Sequence, residues 1–155
     1  MPLIEYARGQ GIENNWMVRY LINQVDGDLD RSALDQAKMV LKRKFLIGLV
    51  EEKEESIKRF QAYFGWEYPE NDAALAEKQS FCISSMLTDG INTNTEGYEV
   101  PKKGTQEFAL ISHQNQYDVK LYEYARDTLF VDQTKRYGSK EWKKAEKVKQ
   151  KSGGK

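Results

Sequence analysis

Apolar positions along this chain fall mostly at helical spacing, and one stretch departs from it. Phe45-Leu46-Ile47-Gly48-Leu49-Val50 is continuously apolar and too short for a membrane span, which predicts a β-strand covered on both faces. The acidic group Glu51, Glu52, Glu54 and Glu55 follows, where a helix N-terminus favours negative charge. Ile57, Phe60 and Phe64 then share one helical face, and Gly65 supplies the stop. A strand running into this helix, from Phe45 to Trp66, is the centre of the chain. A strand buried on both faces needs neighbours for its N–H and C=O groups.

Helices dominate on either side. Residues 2–9 read as a short helix with Pro2 in its first turn and Gly9 and Gly11 closing it. Asn14 or Asn15 then caps a helix whose apolar stripe is Trp16, Met17, Tyr20 and Leu21. Asp26-Gly27-Asp28 is a turn signal, and the next helix places Leu34, Ala37, Val40 and Leu41 on one face with Lys42, Arg43 and Lys44 at its C-terminal end. From Glu67 to Thr105 the periodicity weakens. Residues 68–71 predict a turn, 73–79 a helix, and 81–87 (FCISSML) either a short strand or a loop with Phe81, Ile83 and Leu87 on the core. A long irregular connection, functional or mobile, follows. The strongest helical pattern starts at Asn115, with Tyr117, Leu121, Tyr124, Ala125, Thr128 and Leu129 in register up to the break at Gly138. Residues 139–151 read as a last surface helix capped by Ser139.

The chain has 155 residues, the size of one ordinary domain, with 39% hydrophobic and 31% charged residues, a balance that favours helices with wet outer faces. Its formal net charge is zero, but residues 135–155 hold nine Lys and Arg against two Glu, so a basic tail follows an acidic body. Such a tail either binds an anionic partner or is a solvated terminus. The single Cys82 excludes an intramolecular disulfide, and no signal-peptide pattern or long apolar segment is present.

Candidate chemistry is sparse. No closely spaced glycines open a helix to cradle phosphate, and one Cys with one His cannot supply a typical zinc cage. Cys82 and His113 would make a thiolate–imidazole pair only if the fold joined them; otherwise Cys82 is a small buried residue and His113 a polar one ahead of the last long helix. Asp118 and Glu123 lie off the apolar stripe, as caps or surface pairs. The aromatic residues Trp16, Tyr20, Phe60, Tyr63, Phe64, Trp66, Tyr117, Tyr122 and Tyr124 read as core rather than as a platform for bases, which argues against nucleic acid as a partner. Arg19, in an otherwise apolar helix, reaches either an anionic ligand or a structural carboxylate.

Three blocks in this order, ENNWMVRYL, LDQAKMVLKRKFLIGLVEEKEESIKRFQAYFGW and NQYDVKLYEYARDTLFVDQ, resemble the C-terminal portion of the carbohydrate-type sulfotransferases. The similarity spans roughly Leu3 to Tyr137 and is weakest between Glu67 and Thr105. It implies sulfuryl transfer from 3′-phosphoadenosine 5′-phosphosulfate (PAPS) to a hydroxyl of a carbohydrate, a parallel sheet flanked by helices with residues 45–50 as a late strand, and work in the Golgi lumen. The family's phosphosulfate loop and its Arg and Ser for the 3′-phosphate lie upstream of the matching region. No catalytic or donor-binding residue is therefore carried over, although Arg19 and Glu51 fall in matching blocks.

The expectation is a mainly α chain with a short strand component, residues 1–137 forming the sulfotransferase-like helical region and 138–155 a basic tail. The family's co-substrate PAPS would serve only if the donor-binding half were supplied, and the chain would be inactive alone. The segment 45–50 would pair with residues 81–87, pair with another protein chain covering it, or abandon strand geometry. The other function class is a non-catalytic structural or binding subunit of a larger assembly built on the same helical scaffold. Neither metal nor membrane span is expected.

Overall fold

A computed structural model describes residues 2–9, 14–66, 72–88 and 101–137. The expected turn at 68–71, residues 89–100 of the irregular connection expected from Asp89 to Gly104, and the basic tail from 138 lie outside these residues. The helices are α1 (Leu3–Arg8), α2 (Trp16–Ile22), α3 (Arg31–Lys44), α4 (Lys53–Phe64), α5 (Ala73–Thr88), α6 (Gln106–Gln114), α7 (Gln116–Tyr124) and α8 (Val131–Tyr137), with a π-helical stretch, Ala125–Phe130, joining the last two. Among the described residues there is no β-strand. The chain is mainly α, and the expected strand component is corrected: 45–50 pairs with no other strand, and 81–87 lies inside α5.

The chain forms two compact units, Met1–Phe45 with Gly97–Thr128, and Leu46–Glu96 with Leu129–Lys155. In the first, α2 packs on α3 and α7, α3 on α7, and α6 on α1 and α7. Its core is Ala7, Val18, Ala33, Leu34, Ala37, Leu41, Leu121 and Ala125, which includes most of the stripe expected for α3. α3 begins where Asp30 accepts the Ala33 N–H at 2.9 Å, and its last turn carries Lys42, Arg43 and Lys44 against the negative end of the helix. Thr128, expected on the apolar stripe, is exposed because the wide π turn shifts the helical register there.

In the second unit α4 packs on α5 and α8. Gly65, at φ 66°, ends α4 in the left-handed conformation that glycine adopts without steric cost. The expected apolar face of α4 is only part-covered, with Ile57 and Phe60 intermediate and Phe64 exposed. Its buried face is polar instead: Glu55, Ser56 and Arg59 lie with Ile47, Leu49, Leu129, Phe130 and Thr134 in the interior.

Candidate functional site

The polar interior of the second unit serves one purpose, to bond the main chain of the segment after Phe45. Ile47 donates its N–H to Gln133 Oε1 at 2.8 Å, and its carbonyl accepts from Arg59 Nη1 at 3.1 Å. Leu49 donates its N–H to Ser56 Oγ at 2.9 Å, and its carbonyl accepts from the Ser56 hydroxyl and from the Glu52 N–H, both at 3.2 Å. Side chains of α4 and α8 thus stand where a neighbouring strand would. This is the physical reason no strand pairing is needed on that edge.

The other edge is different. Leu46, Gly48 and Val50 make no main-chain hydrogen bond among the described residues, and Gly48 and Val50 are exposed. Side-chain burial alternates in step, with Ile47 and Leu49 buried and Val50 76% exposed. The segment leaves α3 through Phe45, at φ −122° and ψ 137°, and enters a turn closed by the Glu52 N–H on the Leu49 carbonyl. The expectation of burial on both faces is corrected accordingly. Gly48 is fixed by close approach, since a Cβ there would lie 2.6 Å from Phe60 Cζ.

Arg59 anchors the arrangement. It is fully buried and donates from Nη2 to the Phe130 carbonyl and to Thr134 Oγ1, while its guanidinium carbon lies 4.0 Å from the Phe130 ring centroid. Its Nε has no partner. Burial pulls its pKa below the usual arginine range, and the Glu55 carboxylate partly offsets this. Arginine keeps its proton under such a shift, so the site holds a cation bonded to two carbonyl oxygens and one hydroxyl. The π stretch contributes directly, because its last residue, Phe130, offers the carbonyl that Arg59 and Thr134 share. Arg59 was not singled out from the sequence; the available signal was that Glu55, Ser56 and Arg59 share a helical face directly after the apolar run.

In the first unit a second polar cluster locks α2 to α7. Asn15, left-handed at φ 54°, donates its N–H to Asn115 Oδ1 at 2.9 Å, and its own Oδ1 accepts from the N–H groups of Tyr117 and Asp118 at 2.7 and 3.1 Å. Asp118 accepts from the N–H groups of Met17 and Val18 at 2.9 and 2.8 Å. Asn15 holds the N-cap position of α2 as expected, but its side chain does not cap; Asp118 does so from another helix.

The remaining candidates resolve individually. Arg19 pairs with no carboxylate among the described residues; it donates to the carbonyls of Asn14 and Gly27 at 2.8 and 2.9 Å and braces the turn after α2. Cys82, expected to be buried, is exposed on α5, a helix with no fully buried residue. His113 is exposed in the last turn of α6 in the first unit. Glu51 and Glu123 are exposed. Among the described residues no group of His, Cys, Asp and Glu is arranged to hold a metal ion, and no helix is long and apolar enough to cross a membrane. Between α4 and α5 an apolar groove of about 430 Å³ is lined by Ile57, Phe60, Trp66, Ile83 and Met86, with Lys78 also lining it. The chain matches no family model, no curated protein and no solved structure.

Proposed function

We propose that this chain is the scaffold portion of a carbohydrate-type, PAPS-dependent sulfotransferase, and that it does not turn over without a donor-binding portion. One observation supports this reading. Most of the long-range polar bonds join the three blocks that carry the resemblance: Asn15, Met17 and Val18 of the first meet Asn115 and Asp118 of the third, and Ile47 and Arg59 of the second meet Gln133 and Phe130 of the third. Sulfuryl transfer requires positioned cations and N–H donors around the charge that develops on the bridging oxygen. Arg59, fully buried and bonded to carbonyl groups of this chain, is not placed to supply that charge.

The transcript upstream of Met1 is the direct test. A reading frame encoding a strand, a glycine-rich phosphosulfate loop and a helix is expected, with the longer polypeptide transferring radiolabelled sulfate from PAPS to a carbohydrate and the 155-residue chain transferring none. A stop codon there, with no partner that binds 3′-phosphoadenosine 5′-phosphate, contradicts the proposal.

The second reading is a non-catalytic subunit, with another protein chain covering residues 45–50. The exposed aromatic cluster supports it: Phe64 and Trp66 stack at 4.6 Å, and Tyr63 meets Phe64 and Tyr137 edge-on. A stable hetero-complex whose melting temperature ignores 3′-phosphoadenosine 5′-phosphate would favour it.

A further inference from the structure

We infer that the groove between α4 and α5 is a binding site for a small amphipathic carboxylate, whose apolar part lies between the two helices and whose carboxylate meets Lys78 and Gln61. The groove belongs wholly to the second unit, and its volume of about 430 Å³ is that of a small-molecule pocket. Gln79 donates from Nε2 to the Trp66 carbonyl at 3.1 Å, which sets the first half of α5 beside the end of α4. From that junction the lining runs forward along α5 to Ile83 and Met86 and back along α4 to Phe60 and Ile57. The groove therefore passes from polar groups near the junction to apolar ones beyond it, the division that an amphipathic ligand matches.

Charge selects the ligand. Among the described residues that line the groove, Lys78 is the one charged group, and no Asp or Glu stands with it. Lys78 forms no ion pair, and neither its ammonium nor the Gln61 side-chain amide has a hydrogen-bond partner, among the described residues. One ammonium and one amide N–H donor suit the two oxygens of a singly charged carboxylate. The apolar side is equally unfilled, since α5 has no fully buried residue and Trp66 and Met86 are exposed. Burying alkyl or aryl carbon against Ile57, Phe60, Ile83 and Met86 supplies the affinity that an exposed ion pair alone lacks. The chain's own basic tail is no substitute occupant, because residues 135–155 share the sign of Lys78.

The inference depends neither on sulfuryl transfer nor on a partner chain over residues 45–50, so its failure leaves both readings of function standing. Cys82 provides the readout, because it is the single cysteine, is exposed and lines the groove. The full chain is alkylated with iodoacetamide, and the rate at Cys82 is followed by mass spectrometry with octanoate, 1-octanol or octylamine as the probe. Octanoate at millimolar concentration is expected to slow alkylation about tenfold, and the alcohol and the amine at the same concentration to slow it less than about twofold. Lys78→Met keeps the aliphatic stem and removes the charge, so its melting temperature should match that of the parent chain while octanoate protection falls about tenfold. Lys120→Met, in the first unit, should leave protection unchanged. Equal protection by octanol or octylamine, full protection in Lys78→Met, lost protection in Lys120→Met, or no protection by octanoate overturns the inference. Alkylation that slows as the concentration of the chain alone rises also overturns it, because a second copy would then fill the groove.

Discussion

The Arg59 guanidinium donates to the Ile47 and Phe130 carbonyls and the Thr134 hydroxyl without solvent contact, so its removal strips partners from groups that water cannot reach. The Phe130 carbonyl keeps the Thr134 hydroxyl, but the Ile47 carbonyl is left bare, and Arg59→Leu should therefore lower the unfolding free energy by about 1–3 kcal/mol in urea titration. Arg59→Lys should recover only part of that loss, since a single ammonium cannot span the acceptors that the planar fork reaches. At Gly48 the constraint is steric. Gly48→Ala places a methyl 2.6 Å from Phe60 Cζ and should cost about 1–3 kcal/mol. Adding Phe60→Leu should restore part of it, a coupling that a double-mutant cycle in urea would read. Asp118→Ala removes the cap of α2 supplied from α7 and should cost about 0.5–2 kcal/mol on the same scale.

Elements divide by how locally they are determined. α3 is legible because its cap Asp30, its buried stripe and its basic last turn are all written within the helix, and α4 stops where Gly65 permits a left-handed turn. The apolar run after Phe45 reads as a buried strand, and the structure has no strand there. Its bonding partners, Ser56, Arg59 and Gln133, are polar residues whose aim is set by tertiary packing, and Gln133 lies 86 positions away from Ile47. The same fact reverses α4. An apolar stripe of Ile57, Phe60 and Phe64 predicts the buried face, yet bonding the main chain after Phe45 draws the Glu55, Ser56 and Arg59 face inward. FCISSML was ambiguous for another reason. A short run of apolar and small residues fits strand and helix alike, and only the adjoining residues 73–80 continue it into α5. Asn15 was legible as a cap position, whereas the acceptor Asp118 sits about a hundred residues onward in α7 and has no local signal.

At the scale of the whole molecule, the chain is two helical units, each with its own polar lock: Asn15, Asn115 and Asp118 in one, Ser56, Arg59 and Gln133 in the other. Most of the bonds in each lock run between side chains and main chain. Incubated alone with PAPS and carbohydrate acceptors, the chain should transfer no sulfate. Between residues 46 and 50 the main chain of Ile47 and Leu49 is bonded to α4 and α8, while Leu46, Gly48 and Val50 have no hydrogen-bond partner among the described residues. Residue-resolved amide exchange of the free chain tests this most directly. Slow exchange at Ile47 and Leu49 alternating with fast exchange at Leu46, Gly48 and Val50 is the expected result. Uniform exchange across the five residues, whether fast or slow, would contradict it.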